Sequence, residues 1–180
     1  MQRRTLAFSL AAAVATVAPR ASAGDQQWRS VADVGVGAVL AGAVIDTGVH
    51  HDWTGAKQLA FDLALTELAT YGLKHAFREE RPNRQDRNSF PSGHASRSFA
   101  AAAYLEKRYG WEVGAPALGV ATLVGVARVE SHDHHWYDVV AGAALGAGTS
   151  YLFTTRHNAR VMLAPWSDGS GLGLTLAGVF

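Results

Sequence analysis

Three short segments of the chain concentrate cations, imidazoles and backbone donors. The first pairs Lys74 with Arg81-Pro82. Lys74 closes an apolar helical run and Pro82 prevents a new one from starting, so both cations fall in one loop region. Basic residues are common at helix C-termini, where they complement the dipole, so this pair says little alone. The second segment is Pro91-Ser92-Gly93-His94, directly ahead of the helical run Ala95 to Leu105. Ser92 suits an N-cap, Gly93 keeps the backbone open, and the free N–H groups of a helix start form an anion site beside His94. The same tetrapeptide also serves as an ordinary capped helix with an incidental histidine. The third segment runs from Arg128 through His132-Asp133-His134-His135-Trp136-Tyr137 to Asp138. His134 and Asp138 are four apart, so on a helix they share a face. The carboxylate is then placed to accept a proton from one imidazole nitrogen and leave the other as a nucleophile.

Those residues need elements that bring them together. Helical runs rich in Ala, Gly, Val and Leu are expected over Trp28–Val49, Lys57–Phe77, His94–Tyr109, Val113–Val129 and His135–Phe153. Asp52-Trp53-Thr54-Gly55, the polar stretch Arg78–Phe90 and Gly110 read as connections. The predicted fold class is all-α, a compact bundle of five to six helices with the active site at one end. Residues 24–165 would form the helical domain and 166–180 a short extended tail. The tail alternates Leu172, Leu174 and Leu176 and ends on Phe180, like the last strand of an outer-membrane barrel. A lone strand closes no barrel, so an extended segment against the bundle is the expectation.

Composition excludes several classes. The chain has 180 residues, 48% of them hydrophobic and 17% charged, with a formal net charge of +1. That suits one packed domain and argues against disorder and against bulk electrostatic binding of nucleic acid. With no cysteine, thiol catalysis, thiolate metal sites and disulfides are out. Arg3-Arg4, the apolar run Leu6–Val17 and Ala21-Ser22-Ala23 have the layout of a signal peptide over residues 1–23, cleaved before Gly24. An uncut anchor and a poorly matched twin-arginine signal are the other readings. The charge-free stretches 34–45, 113–127 and 139–155 fall short of the ~20 residues of a spanning helix. Asp62, Thr66, Thr70 and Lys74, with Glu67 beside them, make a polar stripe fit for water or for a shared active-site groove. These features favour a periplasmic bundle resting on a membrane.

Taken together, Lys74 with Arg81-Pro82, Pro91-Ser92-Gly93-His94, and Arg128, His134 and Asp138 resemble the three-part signature of the type-2 phosphatidic acid phosphatase and vanadium haloperoxidase superfamily. The order and internal spacing both agree. The resemblance implies an all-α, metal-independent phosphatase acting through a phosphohistidine, with a phosphorylated lipid, an isoprenyl diphosphate or a small phosphomonoester as substrate. By the same resemblance, Lys74, Arg81 and Arg128 would hold the phosphoryl oxygens, with Ser92 and the Gly93 N–H completing the cradle. His134 would attack phosphorus, Asp138 would orient it, and His94 would protonate the leaving group and then activate water. No cofactor is implied, and vanadate would inhibit as a mimic. The chain departs from the family at Ala127, where Ser is usual, at Trp136, where Pro is common, and in a short Pro82–Pro91 loop. A vanadium-dependent haloperoxidase is the second reading. A metal-binding surface of His132, Asp133, His134 and His135 with His50, His51 and Asp52 is the third. It leaves the cations unexplained, since a metal ion would repel them. The oligomeric state is not readable from the sequence.

Overall fold

The computed structural model describes residues 24–157, 161–167 and 171–178. The expected signal peptide lies outside the described residues. Five helices follow in order: α1 Asp25–Val49, α2 Trp53–Ala76, α3 Gly93–Tyr109, α4 Trp111–Glu130 and α5 Trp136–Phe153. Helix starts are set by local chemistry. Asp52 caps α2 by accepting from the Gly55 N–H at 2.9 Å, and Ser92 caps α3 through the Ala95 N–H. At α5, the Asp138 carboxylate returns to the His135 N–H at 2.8 Å, half of a reciprocal capping box. Gly110 turns α3 into α4 at a φ of 97°, a left-handed conformation that suits glycine.

Helix α3 is the axis of the bundle, packed by α1, α2, α4 and α5. Its Ala100-Ala101-Ala102-Ala103-Tyr104 run is buried all round, and alanines let four neighbours approach one helix closely. Closest of all is α5. A Cβ at Gly142 would meet the Ser92 carbonyl, and one at Gly146 would meet the Ser96 carbonyl, so the two backbones run in contact. Aliphatic side chains complete two adjoining cores, one around Val39, Leu59, Leu105 and Val120, the other around Val31, Val36 and Val124.

Three expectations change. The polar stripe on α2 faces neither water nor a groove but the interior. Asp62, Thr66 and Thr70 are buried, with Thr154 donating to Asp62 at 2.5 Å, Thr66 bonded to Thr149 at 2.6 Å and Thr70 to Ser96 at 3.0 Å. Helices α1 and α4 prove long and apolar enough to cross a membrane, because each continues past the charge-free stretch into polar residues at its ends. The tail is one half of an antiparallel hairpin, β1 Val161–Ser167 with β2 Leu172–Gly178, whose first strand begins inside the segment assigned to the helical unit. Pro165 breaks the period-2 reading of β1, which is why that strand was not expected. Strand β1 lies against α2.

The two ends of the bundle differ. At one, Arg108 donates twice to Asp52 at 2.6 Å, joined by Tyr109 at 3.0 Å and His157 at 3.1 Å. This buried ion pair, fully hydrogen-bonded, ties α2 to α3 and to the chain after α5. The other end gathers the sequence-predicted residues.

Candidate active site

The end of α2, the starts of α3 and α5 and the end of α4 converge at this second pole, joined by the N-terminal half of α1. The Ser92 N–H donates to the Asp138 carbonyl at 3.0 Å, and the His134 N–H to the Arg128 carbonyl at 3.2 Å. All eight residues singled out from the sequence lie at this pole. Lys74, Arg81, Ser92, Gly93, His94, Arg128, His134 and Asp138 are carried on four helices and two loops.

His134 and Asp138 are almost completely buried, with Nδ1 of the imidazole 3.7 Å from Oδ2 of the carboxylate. That is beyond hydrogen-bonding distance, so the expected proton-sharing contact is an electrostatic approach here. The nearest donors to Asp138 Oδ2 are the Ser89 hydroxyl at 2.5 Å and the His135 N–H at 2.8 Å. His134 Nδ1 and Asp138 Oδ1 are left without partners. Burial raises the Asp138 carboxyl, but the nearby His134 imidazole, the Ser89 hydroxyl and the His135 N–H more than offset it and hold the group at about 2. Burial pushes His134 below the ordinary imidazole range, and Arg81, Arg128 and Lys74 add to that against the pull of Asp138. The ring is therefore neutral at pH 7.

His94 opens onto the same space and is a quarter exposed, with Nε2 2.8 Å from Oδ1 of Asp33 on α1. Burial lowers its pKa, as does the charge of Arg128, while Asp33 works in the opposite sense. Lys74 donates to the carbonyls of Asn88 and Pro91 at 2.6 and 2.7 Å, so it holds the loop ahead of α3 in place. Its burial, with Arg81 nearby, brings it down to about 8. Arg81 donates to Asp86 at 2.7 Å and to the Asp133 carbonyl at 3.2 Å. Gly93 leaves little room: a Cβ there would press on the Arg97 guanidinium at 3.2 Å.

Asp133, inside the third motif but assigned no role from the sequence, is the hub of the cationic side. Its Oδ1 accepts from Arg29 at 2.9 Å and Asn83 at 2.8 Å, and its Oδ2 from Arg29 at 3.0 Å and Ser131 at 3.1 Å. Arg128 Nη2 lies 2.8 Å from the same Oδ2, while the buried Arg128 Nε has no partner. Sequence reasoning also missed Arg29 and Asp33, which lie on α1 some forty residues before the first motif. Ser89 was missed too, and its spacing from Asp138 carries no signal. The adjacent histidines diverge: His132 pairs with Asp25, His134 with Asp138 and His135 with Glu79 and Asp138. His50 and Asp52 belong to the opposite pole. The imagined metal surface is therefore not one surface. Among the described residues, Glu79, His135 and Asp138 do bring one ligand atom each within 4.8 Å of one another.

The chain is similar to known proteins. The profile of the PAP2 superfamily matches residues 55–162. The chain is 33% identical over 140 residues to a lipid A 4'-phosphatase of Helicobacter pylori, covering 71% of each. It is 29% identical to lipid phosphate phosphatase 1 of Arabidopsis thaliana, spanning 42% of that protein. Among solved structures, LpxE of Aquifex aeolicus superposes with a TM-score of 0.62 over 82% of this chain and 94% of that one, at 23% identity. A transmembrane PAP2-type phosphatidylglycerolphosphate phosphatase of Bacillus subtilis gives 0.59 over 81% of each, at 20% identity. These two share the fold. With profile, relatives and fold in agreement on the helices that carry the site, the chain belongs to the PAP2 superfamily, the type-2 phosphatidic acid phosphatases, and is a phosphoric ester hydrolase.

Proposed function

We propose that the chain dephosphorylates lipid phosphates at a membrane surface through a phosphohistidine on His134, without a metal ion. The observation that carries this reading is a pair of histidines, each backed by a carboxylate, beside an arginine whose buried Nε is unpartnered. Asp138 faces Nδ1, so Nε2 of the neutral His134 ring is the nucleophile. It attacks phosphorus as the bond to the leaving oxygen breaks, and His94, acting as the imidazolium with Nε2–H donating to Asp33, gives that oxygen its Nδ1 proton and becomes neutral. Water then attacks the phosphohistidine, His94 takes its proton, and inorganic phosphate leaves with His134 restored. Lys74, Arg81 and Arg128, with Ser92 and the Gly93 N–H, neutralise the charge spread over the phosphoryl oxygens.

The lipid substrate follows from the relatives and from the surface. Val34, Ile45, Leu68, Val140 and Leu152 are exposed along the helices, while Trp53 and Trp111 mark one end and Tyr71, Phe77 and Trp136 the other. Apolar flanks between two aromatic rims match a membrane-seated bundle. The site then sits at headgroup level, at one end of the two helices apolar enough to cross. Residues 1–23 serve as an export signal, which puts this pole on the periplasmic side.

The test is phosphoenzyme trapping on lipid phosphate in the presence of a chelator. Acid-labile phosphate should appear on the wild type and be absent from His134→Ala, and orthovanadate should block its formation. Activity lost in chelator and restored by a divalent ion would overturn the mechanism.

A further inference from the structure

An apolar cavity lies away from His94 and His134. It holds about 420 Å³ between α1 and α2, next to the turn that joins them, against Val44, Thr47 and Gly48 on one side and Leu59, Ala60 and Leu63 on the other. Two of its polar groups, Thr47 and Asp52, are already paired. The Thr47 hydroxyl bonds the Ala43 carbonyl and the Tyr104 hydroxyl at 2.6 and 2.9 Å, and Asp52 is held by Arg108.

From the cavity an open strip leads along α1 toward the site. Gly37, Ala41, Val44 and Gly48 lie at helical spacing on one exposed face. A Cβ at Gly37 or at Gly48 would meet nothing within 4 Å, whereas one at Gly35, on the packed face, would press on Val124. Glycine in a helix costs about 1 kcal/mol relative to alanine, and no contact within the fold calls for it at these two positions. At its site end the strip meets charges, where Arg97 pairs with Glu67 at 2.6 Å beside His94 and Asp33.

We propose that this trough holds one hydrocarbon chain of the substrate, its phosphate at His134 and its tail end in the cavity between α1 and α2. The charge pattern complements such a molecule, with cations at the phosphate end and none along the tail. Length agrees as well. Val44 is eleven residues from Asp33, and Leu63 eleven from Lys74, so the cavity begins ~16 Å below the site at 1.5 Å per residue. One leaflet of a ~30 Å hydrocarbon core is about as deep. Short chains would stop in the strip, and long ones would fill the cavity.

This inference rests on the phosphatase reading, so its test separates the two. The first measurement is kcat/KM for butyl, octyl, dodecyl and hexadecyl phosphate. A rise of about tenfold or more is expected between octyl and hexadecyl, as successive methylenes leave water. In Gly48→Phe, which fills the cavity from an open position, the hexadecyl-to-butyl ratio should fall by about the same factor. The second measurement needs no turnover. Hexadecyl phosphate carrying a terminal diazirine, irradiated on His134→Ala, should label residues 44–63. A flat series with an unchanged Gly48→Phe ratio, or labelling confined elsewhere, overturns the trough while lipid phosphate hydrolysis stands. Labelling at 44–63 without any phosphoester turnover would keep the trough and remove the phosphatase reading.

Discussion

Replacing Asp133 with asparagine tests how the cationic side of the site is held together. The carboxylate receives Arg29 and Asn83 on Oδ1, and Arg29 and Ser131 on Oδ2, with Arg128 2.8 Å from Oδ2. Asparagine keeps one acceptor oxygen and turns the other into a donor. Whichever way the amide is placed, its NH2 faces at least one guanidinium N–H and a second donor. Two hydrogen bonds to a buried acceptor are lost, and two arginines lose their counter-charge. Arg128 is buried and Arg29 only about a quarter exposed, so screening by water is limited. Breaking such a buried pair costs about 3–5 kcal/mol. For a chain of this size that is a fall of roughly 6–20 °C in Tm, read by tryptophan fluorescence in detergent. Orthovanadate affinity should move the other way, because Asp133 no longer competes for Arg128. Adding Arg29→Met to the asparagine variant should recover part of the lost Tm, since it removes one of the stranded charges. A Tm within 2 °C of wild type, or purely additive losses in the double variant, would refute the hub.

The remaining expectations concern the reacting groups. His94→Ala should lose most of its rate on alkyl phosphates but far less on aryl phosphates, whose leaving groups depart without a proton. Equal losses on both substrates in burst experiments would mean that His94 does not act on the leaving group. Lys74, brought to about 8 by burial, should impose an alkaline limb on kcat/KM: its charge is present below that pH and lost above it. In Lys74→Arg that limb should disappear from the profile, and its persistence would assign it to another group. Ser89→Ala removes one of the donors that hold Asp138 low, so it should lower kcat several-fold with little change in KM. A KM effect alone would contradict this.

The residues of the candidate site were legible in the sequence because the chain places them at short, helix-defined intervals. His134 and Asp138 share a face, and Ser92 stands where a cap must stand. The five helices followed from apolar runs and their caps, with three boundaries as expected and the others displaced by one to four residues. What sustains the reactive groups was not legible. Arg29 and Asp33 reach the site only because α1 packs against α3 and α4, a contact that no local spacing encodes. Asp133 could have been suspected as an acid beside His134, yet in a run of six polar residues, Glu130 to His135, the pattern cannot tell a buried hub from a solvated side chain. The stripe on α2 was found and its direction misjudged. Its period fixes a face, and only the packing of α3 and α5 fixes where that face points.

The backbone contact between α3 and α5 bears on what limits turnover. Ser92 and His94 open one of these helices and Asp138 lies in the first turn of the other, with His134 just ahead of it. Gly142 and Gly146 then lock the pair at carbonyl distance one and two turns further along. With no side chain between the two backbones, neither helix can slide or tilt without collision. The groups proposed to be catalytic form one rigid fixture, assembled before any substrate arrives. Such an enzyme has no closing stroke to wait for. Its pace on natural substrate should be set by how fast lipids arrive and leave across its flank, making bilayer fluidity a kinetic parameter of the reaction.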